Sequence, residues 1–205
     1  MLTHLPLPEA NILIDPGFLT TARADALFAR LRDEIAWETH RIKLFGREID
    51  SPRRSCWIGD AGASYVYSNT RFEPRPWSPA LAALREEIAS AAGERFNSVL
   101  ANLYRDGRDS MGWHCDDEPE LGPSPVIASL SLGATRRFCL KQKRAGAKSI
   151  VLELPSGSLL LMRGQTQKKY RHALPKTTKP VAGRINLTFR RIFNANGQID
   201  SYGSG

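Results

Sequence analysis

The sequence predicts a mainly β chain, a sandwich or jelly roll preceded by helices, of the mixed α+β kind. Three observations carry this reading. Two helical stretches lie ahead of Gly93, six or more short apolar, β-branched runs follow from Asn97, and no helical period returns after them. At 205 residues with no internal repeat, the chain fits one domain spanning 1–205 that is long enough to bury a core.

Taken in order, residues 20–36 (TTARADALFARLRDEIA) place Ala24, Leu27, Phe28, Leu31 and Ile35 on one stripe with charges opposite, the pattern of a helix lying on a core. Residues 41–67 run as RIKLFGREI, the turn DSPRR, and CWIGDAGASYVY, which reads as a hairpin projecting from the body. A second helix is expected from Ser78 to Ala92, with Ser78 as N-cap, Pro79 at the first helical position and Gly93 just past the end. NSVLANLY, VIASLSLG, RRFCLKQ, SIVLEL, GSLLLM and GRINLTFRRIF then supply the strands of a core spanning about 97–192. The tail from Asn194, NANGQIDSYGSG, is polar and Gly-rich, and disorder is expected there over 194–205.

Lys and Arg number 29 against 21 acids, a net charge of +8 that makes a polyanion the natural partner, nucleic acid first and a membrane surface second. Three cysteines without a CxxC pair argue against both a disulfide framework and zinc ligation of the usual spacing. The start, MLTHLPLPEANILIDPGF, lacks the pattern of a secretory leader, and no run approaches the roughly eighteen apolar residues of a membrane span. A soluble, cytoplasmic protein without membrane association is expected.

The chemistry concentrates in MGWHCDDEPE, residues 111–120. Residues i and i+2 of a strand face one side, so His114 and Asp116 can aim an imidazole and a carboxylate at one point. That mixture suits Fe(II) held by two histidines and one carboxylate, although a His-x-Asp pair alone is a common accident. His172, in KKYRHALP after an apolar run, is the natural third ligand. His4 and His40 lie outside the β region, where solvent exposure is the simpler expectation. In GRINLTFRRI, alternation sets Arg184, Asn186, Thr188 and Arg190 on one face against Ile185, Leu187 and Phe189 on the other. Two arrangements satisfy this: a solvated edge strand, or a central strand whose buried arginines meet an anionic ligand such as a small dicarboxylate.

Together, Asn102-x-Tyr104, His114-x-Asp116, His172 and Arg184-x5-Arg190 resemble the AlkB family of Fe(II)- and 2-oxoglutarate-dependent dioxygenases. NLYRDGRDSMGWHCDDEPELGPSPVIASLSLG, GSLLLM and RINLTFRRI are similar to its DNA-alkylation-repair subgroup, which includes the human DNA-repair homologues. The similarity reaches upstream through LFGREIDSPRR, GDAG and PW and covers about Arg41 to Ile192.

The resemblance implies a double-stranded β-helix (jelly-roll) core with flanking N-terminal helices and a nucleotide-recognition hairpin in about 38–76. It implies Fe(II) on His114, Asp116 and His172. Arg184 is implied on the distal carboxylate of 2-oxoglutarate and Arg190 near its keto-acid end, with Asn102, Tyr104, Asn186 and Thr188 seating the rest. Tyr65, Tyr67, Ser68, Asp117 and Arg53 match the lesion pocket, with Glu118 beside it, and Phe45 and Gly46 match an apolar finger inserted into the duplex. Asp117 would then face a cationic base such as N1-methyladenine or N3-methylcytosine. The implied activity is oxidative demethylation of such bases in DNA, using O2 and 2-oxoglutarate and releasing formaldehyde, by a monomer, cytoplasmic in a bacterium or nuclear in a eukaryote. Alternatives are the same chemistry on RNA, a free nucleoside or a protein, or a non-catalytic nucleic-acid-binding module. Trp113, beside the first ligand, has no role in this scheme.

Overall fold

The computed structural model describes residues 1–193 apart from 45–46 and 68–69, with side chains left out over 42–48 and 65–72. Strands β1 (Thr3–Leu5) and β2 (Asn11–Asp15) lead to helix α1 (Thr21–Glu34). Two short ribbons follow, β3 (Arg41–Leu44) with β4 (Arg47–Asp50), and, after β5 (Arg54–Gly59), β6 (Tyr65–Tyr67) with β7 (Thr70–Phe72). Beyond helix α2 (Pro79–Ala92) come β8 (Ser98–Tyr104), β9 (Met111–His114), β10 (Ile127–Gly133), β11 (Arg136–Gln142), β12 (Ile150–Leu154) and β13 (Leu159–Arg163). The one-turn helix α3 (Thr166–Lys169), β14 (Tyr170–Leu174) and β15 (Arg184–Arg190) complete the order.

The expected helices form where their caps place them. Thr20 Oγ1 accepts from Arg23 N at the start of α1, and Ser78 Oγ from Leu81 N at the start of α2. Gly93 closes α2 in the left-handed region at φ +59°, where a side chain would be strained. The expectation of no later helix is corrected at one place, the short α3, whose four residues are too few to leave a periodic signal.

Two antiparallel sheets face one another. The larger runs β1-β2-β13-β10-β15-β8-β5 and the smaller β12-β11-β14-β9. Both helices lie against the far side of the larger sheet, where Leu31, Leu84 and Ile88 join Ala128, Leu130, Leu132, Ile185, Leu187 and Phe189 in one apolar layer. A second layer, with Trp57, Phe138, Leu140, Leu160 and Met162, fills part of the space between the sheets. The central sheet is thereby buried on both faces, and β15 lies in its middle between β10 and β8. Of the two arrangements open for GRINLTFRRI, the edge strand is excluded. At Gly133 (φ +80°), a β-carbon would stand 2.5 Å from the Gly183 carbonyl, so only glycine allows the close approach that brings β10 beside the start of β15.

The hairpin expected over 41–67 is divided differently. RIKL and REID pair with each other, whereas RSCWIG leaves them and joins the larger sheet, Ser55 opposite Asn102. Tyr65–Tyr67 belongs to the second ribbon. Local pattern marks strands, but pairing is decided by distant partners, here β8 more than forty residues on. The tail from Asn194, for which disorder was expected, lies outside the described residues. Among those described, no helix is long and apolar enough to cross a membrane.

Candidate active site

The cleft between the sheets is where the polar faces converge. From β15 and its neighbours it is lined by Arg184, Asn186, Thr188, Arg190, Asn102, Tyr104 and Ser129, and from the smaller sheet by His114, His172 and Phe138. His114 reaches the cleft through a register shift. Leu174 and His172 of β14 pair with Met111 and His114 of β9, so two steps on one strand face three on the other. This bulge re-aims the end of β9, turning His114 inward where plain alternation from Met111 would turn it out.

His114, Asp116 and His172 bring one ligand atom each within 4.8 Å of one another, the candidate metal-holding group found among the described residues. Gly112 O lies 2.9 Å from His114 Nδ1. A carbonyl can only accept, so Nδ1 carries the proton and Nε2 is left with its lone pair for a metal. His172 Nε2 stands 3.6 Å from Asp116 Oδ2, and Phe138 stacks on the His172 ring. Burial, then the neighbouring His114, pushes His172 down to about 3, which keeps the imidazole neutral as ligation requires. Burial works against ionising Asp116, but the Arg190 charge, and after it His172 and His114, outweigh that and hold it at about 2. Arg190 Nη2 donates to Asp116 Oδ1.

Asp116 is not on the strand with His114, as the i, i+2 reading has it. The strand ends at His114, and Asp116 is placed by a side chain the sequence reading passed over: Gln167 of α3, almost fully buried, accepts from Asp116 N at 3.0 Å. Ser129 and Ser131 were also missed, although the alternation in VIASLSLG carried the signal. Ser131 Oγ accepts from Arg184 Nη2 at 2.9 Å, Ser129 Oγ from Asn186 Nδ2 at 2.8 Å, and Asn186 Oδ1 from Thr188 Oγ1 at 3.0 Å.

Arg184 is the electrostatic anomaly. It is 2% exposed, its Nε has no hydrogen-bond partner, and no carboxylate among the described residues pairs with it. Burial lowers its pKa to about 10, the neighbouring Arg136 adding to the effect. The Tyr104 ring lies 5.4 Å from its Cζ. A buried, uncompensated guanidinium is costly unless an anion completes it. Two imidazoles and an ionised carboxylate around one point, with this cation in the same cleft, fit Fe(II) and a chelating dicarboxylate.

The comparisons with known proteins agree with the geometry. The family model described as the 2OG-Fe(II) oxygenase superfamily matches residues 11–190. The chain belongs to that superfamily. Fe(II), 2-oxoglutarate and O2 are accordingly the oxygenase's cofactor and cosubstrates. It is 40% identical over 181 residues to human "DNA oxidative demethylase ALKBH2", covering 83% of this chain and 69% of that one. Bovine "Alpha-ketoglutarate-dependent dioxygenase alkB homolog 3" is 37% identical over 197 residues, 92% of this chain and 68% of that protein. The solved OsALKBH1 structure superposes on the oxygenase with a TM-score of 0.68 at 17% identity, covering 93% of this chain and 100% of its own, a likeness of fold.

The expected lesion-side residues fare unevenly. Arg53 is buried and donates through Nε to Asn102 Oδ1 at 2.7 Å, linking the loop before β5 to the cosubstrate side. Asp117 is half exposed, does not line the cleft, and accepts instead from Lys143 Nζ at 3.3 Å and Cys115 Sγ at 3.0 Å. Glu118 is half buried at the start of the 3-10 turn Pro119–Leu121. Tyr65 and Tyr67 sit on β6, while Phe45, Gly46 and Ser68 lie outside the described residues.

Proposed function

We propose that the oxygenase demethylates N-alkylated bases such as N1-methyladenine and N3-methylcytosine in nucleic acid, DNA before RNA, coupling this to decarboxylation of 2-oxoglutarate. The observation that carries it is the pairing, inside one cleft, of the His114, Asp116 and His172 group with the uncompensated Arg184. Relatives named for dioxygenase and DNA demethylase activity point the same way, and the surplus of +8 favours a polyanionic substrate.

Bound Fe(II) with 2-oxoglutarate supplies O2 activation, and an N-methyl group oxidised there leaves as formaldehyde. The chain supplies position. His114 Nε2, Asp116 and His172 would hold the metal, with the Gly112 carbonyl and Gln167 fixing the first two in that order. Arg184, oriented by its hydrogen bond to Ser131, would take the distal carboxylate of 2-oxoglutarate. Asn102, Tyr104, Asn186 and Thr188 line the same cleft and would seat the rest, and Arg190, which donates to Asp116, would face the keto-acid end. The extruded base is assigned, on the resemblance, to Tyr65, Tyr67, Phe45 and Gly46, which lie in the segments before and after β5 in sequence. Arg53, Ser68 and Glu118 stand on the lesion side of this scheme. Asp117 can join them only by giving up Lys143.

To test this, the protein is loaded with Fe(II) without oxygen, then given O2, 2-oxoglutarate and an oligonucleotide bearing one N1-methyladenine. Formaldehyde release with loss of one CH2 in mass is expected. Neither product, with iron shown to be bound, contradicts the reading.

A further inference from the structure

Trp113 is the residue this chemistry leaves unused, and its position is unusual. It is 44% exposed, while among the described residues only Met1, Ile49 and Val151 are other large hydrophobics left so open. It precedes the metal-side His114 on β9, and the bulge that turns His114 into the cleft turns Trp113 to the outer face of the smaller sheet. Arg171 of β14, whose neighbours Tyr170 and His172 are buried on the inner side, lies over the indole with Cζ 5.8 Å from the ring centre. Lys141 stands directly across from Arg171 on β11. Neither cation has a carboxylate partner among the described residues; Asp117 pairs with Lys143 and Glu9 with Lys169.

The place matters as much as the chemistry. β9 ends the smaller sheet as β5 ends the larger, and Ser110 N donates to Pro52 O at 2.9 Å, tying the two edges together on one side of the sandwich. Trp113 stands at that β9 edge, and across the outer face of the smaller sheet Trp113, Arg171 and Lys141 follow one another on β9, β14 and β11.

We propose that Trp113, Arg171 and Lys141 form a platform for the unpaired strand next to the target nucleotide, a base stacking on Trp113 while phosphates meet the two cations. An exposed indole beside uncompensated cations is the combination that holds single strands without regard to sequence, the ring accepting any base and the charges following the backbone. A protein partner would call for a wider apolar patch, whereas the outward side chains across the sheet from Trp113 are the cations Arg171 and Lys141. This platform rests on the nucleic-acid reading above and specifies the substrate as one with single-stranded character beside the lesion.

The test uses the whole protein and a long single-stranded oligonucleotide without a lesion, its affinity read by fluorescence anisotropy over a range of salt. Trp113→Ala is expected to weaken binding roughly tenfold, with Trp113→Phe recovering most of it. Arg171→Gln is expected to lower the slope of log affinity against log salt by about 0.7. In demethylation, Trp113→Ala should raise KM for the long substrate well above any change for a trinucleotide centred on the lesion. Equal affinity of wild type and Trp113→Ala, failure of Phe to rescue, or equal KM changes on long and short substrates would overturn the platform. Failure of the demethylase reading shows separately, as wild-type protein that releases no formaldehyde from either substrate, while the lesion-free binding still decides the platform.

Discussion

The two faces of β15 are opposite in character. Toward the helices, Ile185, Leu187 and Phe189 are fully buried in hydrocarbon, and nothing about them asks for a ligand. Toward the smaller sheet, Arg184, Asn186, Thr188 and Arg190 are also buried but polar, held by Ser129, Ser131 and Asp116. One strand thus divides labour by side-chain parity. Its odd-numbered residues hold the sheet to the helices, and its even-numbered ones keep charge in a place where water cannot satisfy it. Substitutions on the first face should cost stability and on the second face function.

The largest effect is expected on the polar side. Asp116→Ala removes the only anionic ligand of the metal group, and turnover in the formaldehyde assay should fall below detection, with metal affinity measured by dialysis falling alongside. Near-normal turnover would break the division at its functional end. On the other face, Phe189→Ala should lose about 3–5 kcal/mol in denaturant unfolding, since the ring is fully enclosed by Trp77, Phe96 and the helix layer. A loss below about 1 kcal/mol would mean that this face can collapse around the gap.

A smaller effect, in pH, sharpens the contrast, because it comes from a buried charge that is already satisfied. Asp109 is buried, which alone would raise its pKa, yet the Arg105 guanidinium and backbone N–H lower it below the ordinary value of 3.8. A depressed carboxylate stabilises the fold above its unfolded pKa, and the contribution disappears as pH falls through the folded value. Below about pH 4, wild type should therefore lose stability that Asp109→Asn lacks throughout, a difference of about 1 kcal/mol in urea unfolding curves. Parallel curves for the two proteins would remove Asp109 from the acid limb.

These contrasts also mark what could be read without coordinates. Caps and periodicity are local, so Ser78, Pro79 and Gly93 delimited α2 correctly, and the alternation in RINLTF separated the two faces of β15 before its neighbours were known. The family resemblance brought Arg184 and the metal group together across the chain, and the structure assembles those residues in one cleft. What escaped was set by distant partners. The pairing of β5 with β8, the bulge that turns His114 inward, and the grip of Gln167 on Asp116 all depend on residues far apart in sequence. Asp117 shows the same limit from the other side, since its nearness to the ligands in sequence says nothing about the Lys143 that claims its carboxylate.

The most direct measurement compares 2-oxoglutarate binding to wild type and Arg184→Gln, each loaded with Mn(II) in place of Fe(II), by calorimetry. With the dicarboxylate seated on the buried guanidinium, the variant should bind it roughly a hundredfold more weakly while holding the metal as before. Its unfolding free energy without ligand should be unchanged or higher, because an uncompensated buried charge has gone. Equal affinity in the two proteins, or a variant that loses the fold along with the ligand, would contradict the assignment of Arg184 as a seat kept charged for its anion.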